Sequence, residues 1–289
     1  MTLPNFMMIG VAKAGTTSVS RYLAQHPQIF ICPIKATNFF GYEDARDWKW
    51  TDEGDPPLLR NFPVRTLEGY EAMFAGATDE IAIGEISPQY FRCPTAARRI
   101  HERLPTVKLV ASLRNPADRA FSGFLMRTRR GEAVESFYRE LTPQSSHVKE
   151  GFYYHRLKRY LDLFPREQIK IYLFEEFKKE PAGILLDLFG FLGVDTKLNL
   201  DTSVRHNPAA VPKLRFLNRL LYNPTLTNIA RSTFPGLKGM LKRVRQLNLR
   251  PAPKLPTDLR GELLRLYRED ILRLQDLLDR DLSVWLKAN

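Results

Sequence analysis

Residues Pro4 to Pro27, PNFMMIGVAKAGTTSVSRYLAQHP, constrain this chain more than any other stretch. Phe6 to Val11 is an unbroken apolar run, short enough for a buried strand. Ala12 to Gly15 is small and flexible. From Thr16 onward, Val19, Tyr22 and Leu23 fall at the i, i+3, i+4 spacing of a helix. The order is strand, tight loop, helix. A loop that opens a helix presents backbone amides and the positive end of the helix dipole, a ready seat for a phosphate or similar oxyanion. Lys13, Ala14, Gly15, Thr16, Thr17 and Ser18 are therefore candidate anion-binding residues. Lys13 adds a full cation, and the three hydroxyls add donors. The pattern is not a Walker A loop, which needs Gly-Lys-Ser/Thr at its end; here Lys13 precedes Gly15. The plain alternative is an ordinary helix start with a solvated lysine.

The same alternation continues downstream. Ile81 to Ile86, Val107 to Leu113 and Ile169 to Phe174 read as further buried strands. Helical spacing covers Leu67 to Phe74, Pro94 to Leu104, a segment opening at Pro116, Gly151 to Phe164, Pro181 to Leu192 and Leu259 to Leu278. Asn115 is placed to cap the helix at Pro116, with Asp118 in its first turn. Gly193 is placed to close the helix that ends at Leu192. Strands alternating with helices imply parallel β-α-β units and an α/β fold. Gly41 to Phe62, rich in Trp, Asp, Gly and Pro, reads as an irregular loop.

In open sheets of this kind, ligands bind at the carboxyl ends of strands. The stretch LRNPADRAFSGF puts Arg114 at such an end and Ser122 two helical turns further on. An arginine with a hydroxyl suits a phosphate. A structural Arg114–Asp118 pair is the local alternative.

Both stretches resemble motifs of the PAPS-dependent sulfotransferases, in the bacterial branch related to the heparan sulfate enzymes. GVAKAGTTSVSRYLAQHP is similar to their 5′-phosphosulfate loop, and RNPADRAFS to their 3′-phosphate motif R-[DN]-P-x-[DE]-R-x-x-S. IGEISPQYF, GFYYHRLKRYLDLFP with IKIYLFEEF, and the closing LYREDILRLQDLLDRDLSVW extend the likeness over most of the chain. The resemblance implies a P-loop-like three-layer fold, a central parallel sheet flanked by helices. It implies PAPS (3′-phosphoadenosine 5′-phosphosulfate) as donor substrate and PAP as product. It assigns Arg114 and Ser122 to the 3′-phosphate, and the loop from Lys13 to the 5′ side.

Two departures stand out. Many relatives read K-E-x-x-F-F after the first helix, and that Glu serves as general base. Here the line is KATNFF, so Lys35 matches and Ala36 takes the Glu position. The heparan-directed branch reads E-K-T-P later on, where this chain keeps Glu85 but has Ile86, which makes a polysaccharide acceptor a poorer fit. Glu85, at a strand end, is then the first candidate base, and His206 in RHNP the second. The acceptor, a hydroxyl or amine, is not named by the sequence. No Asp/His/Cys cluster has ligand spacing, so no metal is expected.

Among the 289 residues two cysteines make no disulfide framework, and no run is apolar and long enough for a membrane span. No signal segment is recognisable, so the expectation is a cytoplasmic protein. The net charge of +12 is concentrated: Arg205 to Lys254 holds eleven Lys and Arg and no acid. We read one domain over residues 1–289, with 202–256 as a basic, proline-containing, lid-like segment over the site. Leu214, Leu217, Leu220 and Leu221, then Leu237, Leu241 and Val244, are spaced there for packing. An anionic membrane would be drawn by the same charges. Nucleic acid is not expected, because few aromatics stand among the cations. A P-loop nucleotide kinase or NTPase and a basic nucleic-acid or lipid binder are the competing readings.

Overall fold

A computed structural model describes residues 2–42, 64–129, 139, 141–198, 201, 210–222 and 237–287. Five strands form one parallel sheet: β1 Phe6–Gly10, β2 Ile29–Ile31, β3 Ala82–Ile86, β4 Lys108–Leu113 and β5 Ile169–Leu173, in the order β2-β3-β1-β4-β5. β1 is central. It pairs with β3 through Phe6–Gly84 and Met7–Glu85, and with β4 through Phe6–Lys108 and Met7–Leu109.

The pleat sorts the apolar runs into two layers. Phe6, Met8, Ile86, Val110 and Tyr172 meet Val19, Tyr22 and Leu23 of α1 (Thr16–Leu23) and Leu185, Leu188 and Phe189 of a helix over Pro181–Leu192. Met7, Ile9, Leu109, Ala111 and Ile171 face the other way, onto Ile100, Phe121, Tyr160, Ile271 and Trp285. A strand buried on both faces reads as a continuous apolar run, as β1 does. The sandwich is tight at Gly84, where an added Cβ would lie 2.0 Å from a ring carbon of Phe6.

The expected strands and helices are present. β2 adds to them: the sequence marked Gln28 to Cys32 only as a short apolar stretch, and its residues Ile29–Ile31 pair with β3 as the edge strand. Gly193, at φ 85°, ends the Pro181–Leu192 helix, and its amide and that of Val194 both donate to the Phe189 carbonyl. The expected loop over Gly41–Phe62 lies almost wholly outside the described residues.

The basic segment is described only in part. Its described part is a two-stranded antiparallel ribbon, β6 Ala210–Pro212 with β7 Leu249–Pro251, and two helices, Arg215–Leu221 and Leu237–Leu247. Leu221 is buried, but Leu214 and Leu220 are exposed. Asn218 explains Leu220, two residues on and across the helix from it, while Leu214 precedes the helix as its N-cap. Asn218 is buried and donates from Nδ2 to the carbonyls of Thr128 and Arg129, which pins the opposite face of its helix inward. Those carbonyls end α5, the helix Pro116–Arg129, about 20 Å along its axis from Arg114. One anchor of the described part of the segment is thus at the far end of α5.

Candidate active site

The loop after β1 and the end of β4 are bonded to each other. The Val11 amide donates to the Ser112 carbonyl at 2.9 Å, Ser112 Oγ to the Ala14 carbonyl at 2.9 Å, and Arg114 Nη1 to the Lys13 carbonyl at 3.0 Å. The two candidate motifs therefore form one site. Within the loop Lys13 and Gly15 are left-handed, at φ 76° and 83°. This turns the amides of Gly15, Thr16 and Thr17 to the head of α1, where a helix leaves donors for a ligand. Ala14 and Thr16 are buried; Lys13, Thr17 and Ser18 are half-buried at the rim.

Phe174, the first residue past β5, sits under both motifs. A Cβ on Gly15 would lie 3.0 Å from its ring, and the Arg114 guanidinium stacks 4.9 Å from the ring centre. A side chain at position 15 would have to displace that ring, so glycine is required there twice, by φ and by contact. Sequence reasoning missed Phe174, because it read as the last residue of a strand.

Asn115 caps α5 as expected: its Oδ1 accepts from the amides of Ala117 and Asp118 at 3.0 and 3.3 Å. Its Nδ2 donates to the Trp285 carbonyl, so the R-D-L-S-V-W tail docks beneath Arg114. Tyr153 Oη donates to the Arg114 carbonyl at 2.8 Å. Asp118 does not pair with Arg114. It binds Arg260 at 2.7 Å and reaches Arg114 only through its field, which opposes the lowering of the Arg114 pKa by burial. Ser122 is half-buried on α5, about 9 Å along the axis from Pro116.

Lys35, in the KATNFF line, joins the site from the other side. Its Nζ donates to Thr17 Oγ1 at 2.5 Å. Partial burial, then the nearby Arg21, lowers its pKa from the ordinary lysine value, although the residue as a whole remains exposed. Ala36 follows at φ 60°, with its amide on the Ile86 carbonyl.

Glu85, the first candidate base, is enclosed at the end of β3. Its side chain has no exposed surface. Oε1 accepts from Thr37, from Ser87 Oγ at 2.5 Å and from Tyr90 Oη at 2.8 Å, while Oε2 accepts from Tyr70 Oη at 2.6 Å. As found, the carboxyl faces four hydroxyls and no solvent, so it is not placed against an acceptor. Its bonds instead fix the turn that carries Lys35, through Thr37 and through Ser87, whose Oγ takes the Asn38 amide. His206 lies outside the described residues. His26 is structural: Nδ1 accepts from the Gln28 amide, and Nε2 lies 2.9 Å from the Asp195 carbonyl. Among the described residues no three His, Cys, Asp or Glu side chains gather as a metal site.

Burial raises the Glu85 carboxyl above its ordinary 4.5, against the pull of the hydroxyl donors. A carboxyl with a raised folded pKa stabilises the fold below its unfolded value and loses that contribution as pH rises through the folded value. Glu85→Gln removes the titration. The stability gap between wild type and Glu85→Gln should therefore be widest below about pH 4.5 and narrow toward neutrality. Urea unfolding across that range measures it; a gap that widens with pH contradicts the assignment.

Comparison with known proteins agrees with this geometry. Residues 4–197 match the profile of the Sulfotransferase family. A human bifunctional heparan sulfate N-deacetylase/N-sulfotransferase 2 is 28% identical over 225 residues, 70% of this chain and 23% of that protein. The chain thus spans about a quarter of the length of these bifunctional relatives. A human heparan sulfate glucosamine 3-O-sulfotransferase 6 is 26% identical over 273 residues, 92% of this chain and 69% of that one. The crystal structure of a sulfotransferase from Alicyclobacillus acidocaldarius superposes with a TM-score of 0.73 at 32% identity, covering 99% of this chain and 100% of its own. With its central parallel sheet between two helical layers and its paired strand-end motifs, the chain belongs to the sulfotransferase family.

Proposed function

We propose that this protein transfers the sulfuryl group of PAPS to a hydroxyl or amine acceptor. The observation that carries the reading is the bonded pair of motifs. Val11, Ala14 and Lys13 are tied to Ser112 and Arg114, so a 5′ anion at the head of α1 and a 3′ anion at Arg114 fall on one ligand. In the transfer, the bond from sulfur to the bridging 5′ oxygen breaks as a bond from the acceptor atom to sulfur forms in line with it. Negative charge grows on the bridging oxygen. Lys13 and the amides of Gly15 to Thr17 stabilise that charge, and Lys35 beside Thr17 adds a second cation. These cations are side chains, so the reading is metal-independent. Arg114 and Ser122 hold the 3′-phosphate, and Ala14 and Ser18 line the loop. The acceptor proton needs a base. Glu85 positions the Lys35 turn, and His206 is the remaining candidate for the base.

A P-loop kinase or NTPase is not favoured, because the loop lysine stands before the glycine rather than next to Thr16. Incubation with radiolabelled PAPS and a panel of hydroxyl and amine acceptors tests the function. PAP release dependent on an acceptor supports it. Turnover of ATP with none of PAPS overturns it.

A further inference from the structure

The outer face of the basic segment has an unusual composition. Leu214, Phe216, Leu220, Met240 and Leu247 are between 40% and 77% exposed. Phe216 and Leu220 are four apart and share one helix face; Met240, Arg243 and Leu247 share a face of the next helix. Lys213, Arg243 and Arg250 are exposed beside them.

The segment cannot roll to hide these side chains, because its inner face is already engaged. Asn218 is held by the end of α5, and Leu221 is buried. Asn248 ties the two helices: its Oδ1 accepts from the Leu214 amide, its Nδ2 donates to the Leu214 carbonyl, and its own carbonyl accepts from Lys213. Arg245 reaches the Leu221 carbonyl and stacks 4.3 Å from the Tyr222 ring centre. Ribbon β6–β7 joins the same unit, and β6 packs on α5. Leu214 and Leu247, next to the residues Asn248 connects, stay outside.

We propose that this face docks on an anionic lipid bilayer. Apolar side chains interleaved with cations on short amphipathic helices are the pattern that lies in a headgroup region, cations on the phosphates and side chains below them. Residues 205–254 carry eleven cations and no acid, so the complement must be anionic. A second copy of the same face would bring cations against cations. Nucleic acid fits poorly, since Tyr222 is covered by Arg245 and Phe216 alone among the described aromatics of the segment offers a stacking surface. Among the described residues no helix is long and apolar enough to cross a membrane, so the contact is peripheral.

Sedimentation of the full chain with vesicles tests this without donor or acceptor, so its outcome is separate from that of the transfer reaction. At physiological salt the chain should bind phosphatidylcholine mixed with phosphatidylserine and not phosphatidylcholine alone. Arg243→Gln and Arg250→Gln should each weaken binding about fivefold. The triple variant Phe216→Ser, Met240→Ser, Leu247→Ser should weaken it roughly tenfold or more. Leu247→Ser alone, together with unchanged thermal melting, guards against a folding defect. No vesicle binding overturns the proposal. So does vesicle binding untouched by the serine variants, which would mark charge attraction without docking of this face, or a wild-type dimer that those variants dissociate, which would mark a second copy as the partner.

Discussion

Lys13→Ala should lower turnover roughly a hundred- to a thousandfold, the usual effect of removing one donor from a developing oxyanion. Affinity for PAP should fall much less, by about tenfold or below. The charge on the bridging oxygen appears mainly in the transition state, so the interaction is stronger there than with product or substrate. The substitution keeps the main-chain tie between the loop and the end of β4. Arg114 holds Lys13 through its backbone carbonyl, not its side chain. The left-handed φ of 76° strains alanine as it strains lysine, so no new backbone cost is introduced. Steady-state kinetics and calorimetric titration on one preparation separate the two effects. Equal losses in affinity and turnover would make Lys13 a binding residue only.

Arg119→Ala should have the largest effect on stability, about 3–5 kcal/mol, with a melting temperature lower by on the order of 10 °C. Arg119 lies on α5 with its side chain almost wholly buried, 1% exposed. It binds Glu150 at 2.5 Å and the His147 carbonyl, and Glu150 also binds Arg92 at 2.7 Å. Burial pushes the Glu150 carboxyl up, and the guanidiniums of Arg119 and Arg92 more than reverse this, leaving it below its ordinary value. Removing Arg119 strips a buried carboxylate of one of its two cations, and that penalty exceeds the worth of the pair itself. Arg98→Ala is the contrast. Its partner Glu102 is at the same 2.7 Å, but both side chains are more than half exposed, and the loss should be under about 1 kcal/mol. Because Glu150 is depressed, the Arg119 contribution is present above the unfolded carboxyl pKa of about 4.5 and fades as pH falls through the folded value. Melting curves of both variants at neutral pH measure the difference; similar losses in the two would contradict it.

What could be read from the sequence was local. β1 with its loop and α1, the Asn115 cap and the Gly193 stop each rest on neighbours a few residues away, and each stands where spacing and capping put it. β2 is three residues at a sheet edge, too short to show a period. The enclosure of Glu85 was hidden for another reason. Its exposure depends on Thr37, Tyr70 and Tyr90, drawn from 53 positions of chain, and no pattern around Glu85 announces that enclosure. Asp118 finds Arg260 142 positions away. Phe174 matters because Gly15 and Arg114 close on it from two other strands. In the basic segment spacing identified the helices but not the side on which Asn218 would fasten them.

The most direct test of a donor seat between the two motifs compares PAP with AMP, which lacks only the 3′-phosphate. Thermal shifts of wild type and of Arg114→Ala are read with each nucleotide in excess. A ligand that binds the folded state raises its stability in proportion to the logarithm of its concentration over its dissociation constant. A large shift with PAP, a small one with AMP, and no difference between them in Arg114→Ala are the predicted result. Equal shifts with PAP and AMP in wild type would contradict it.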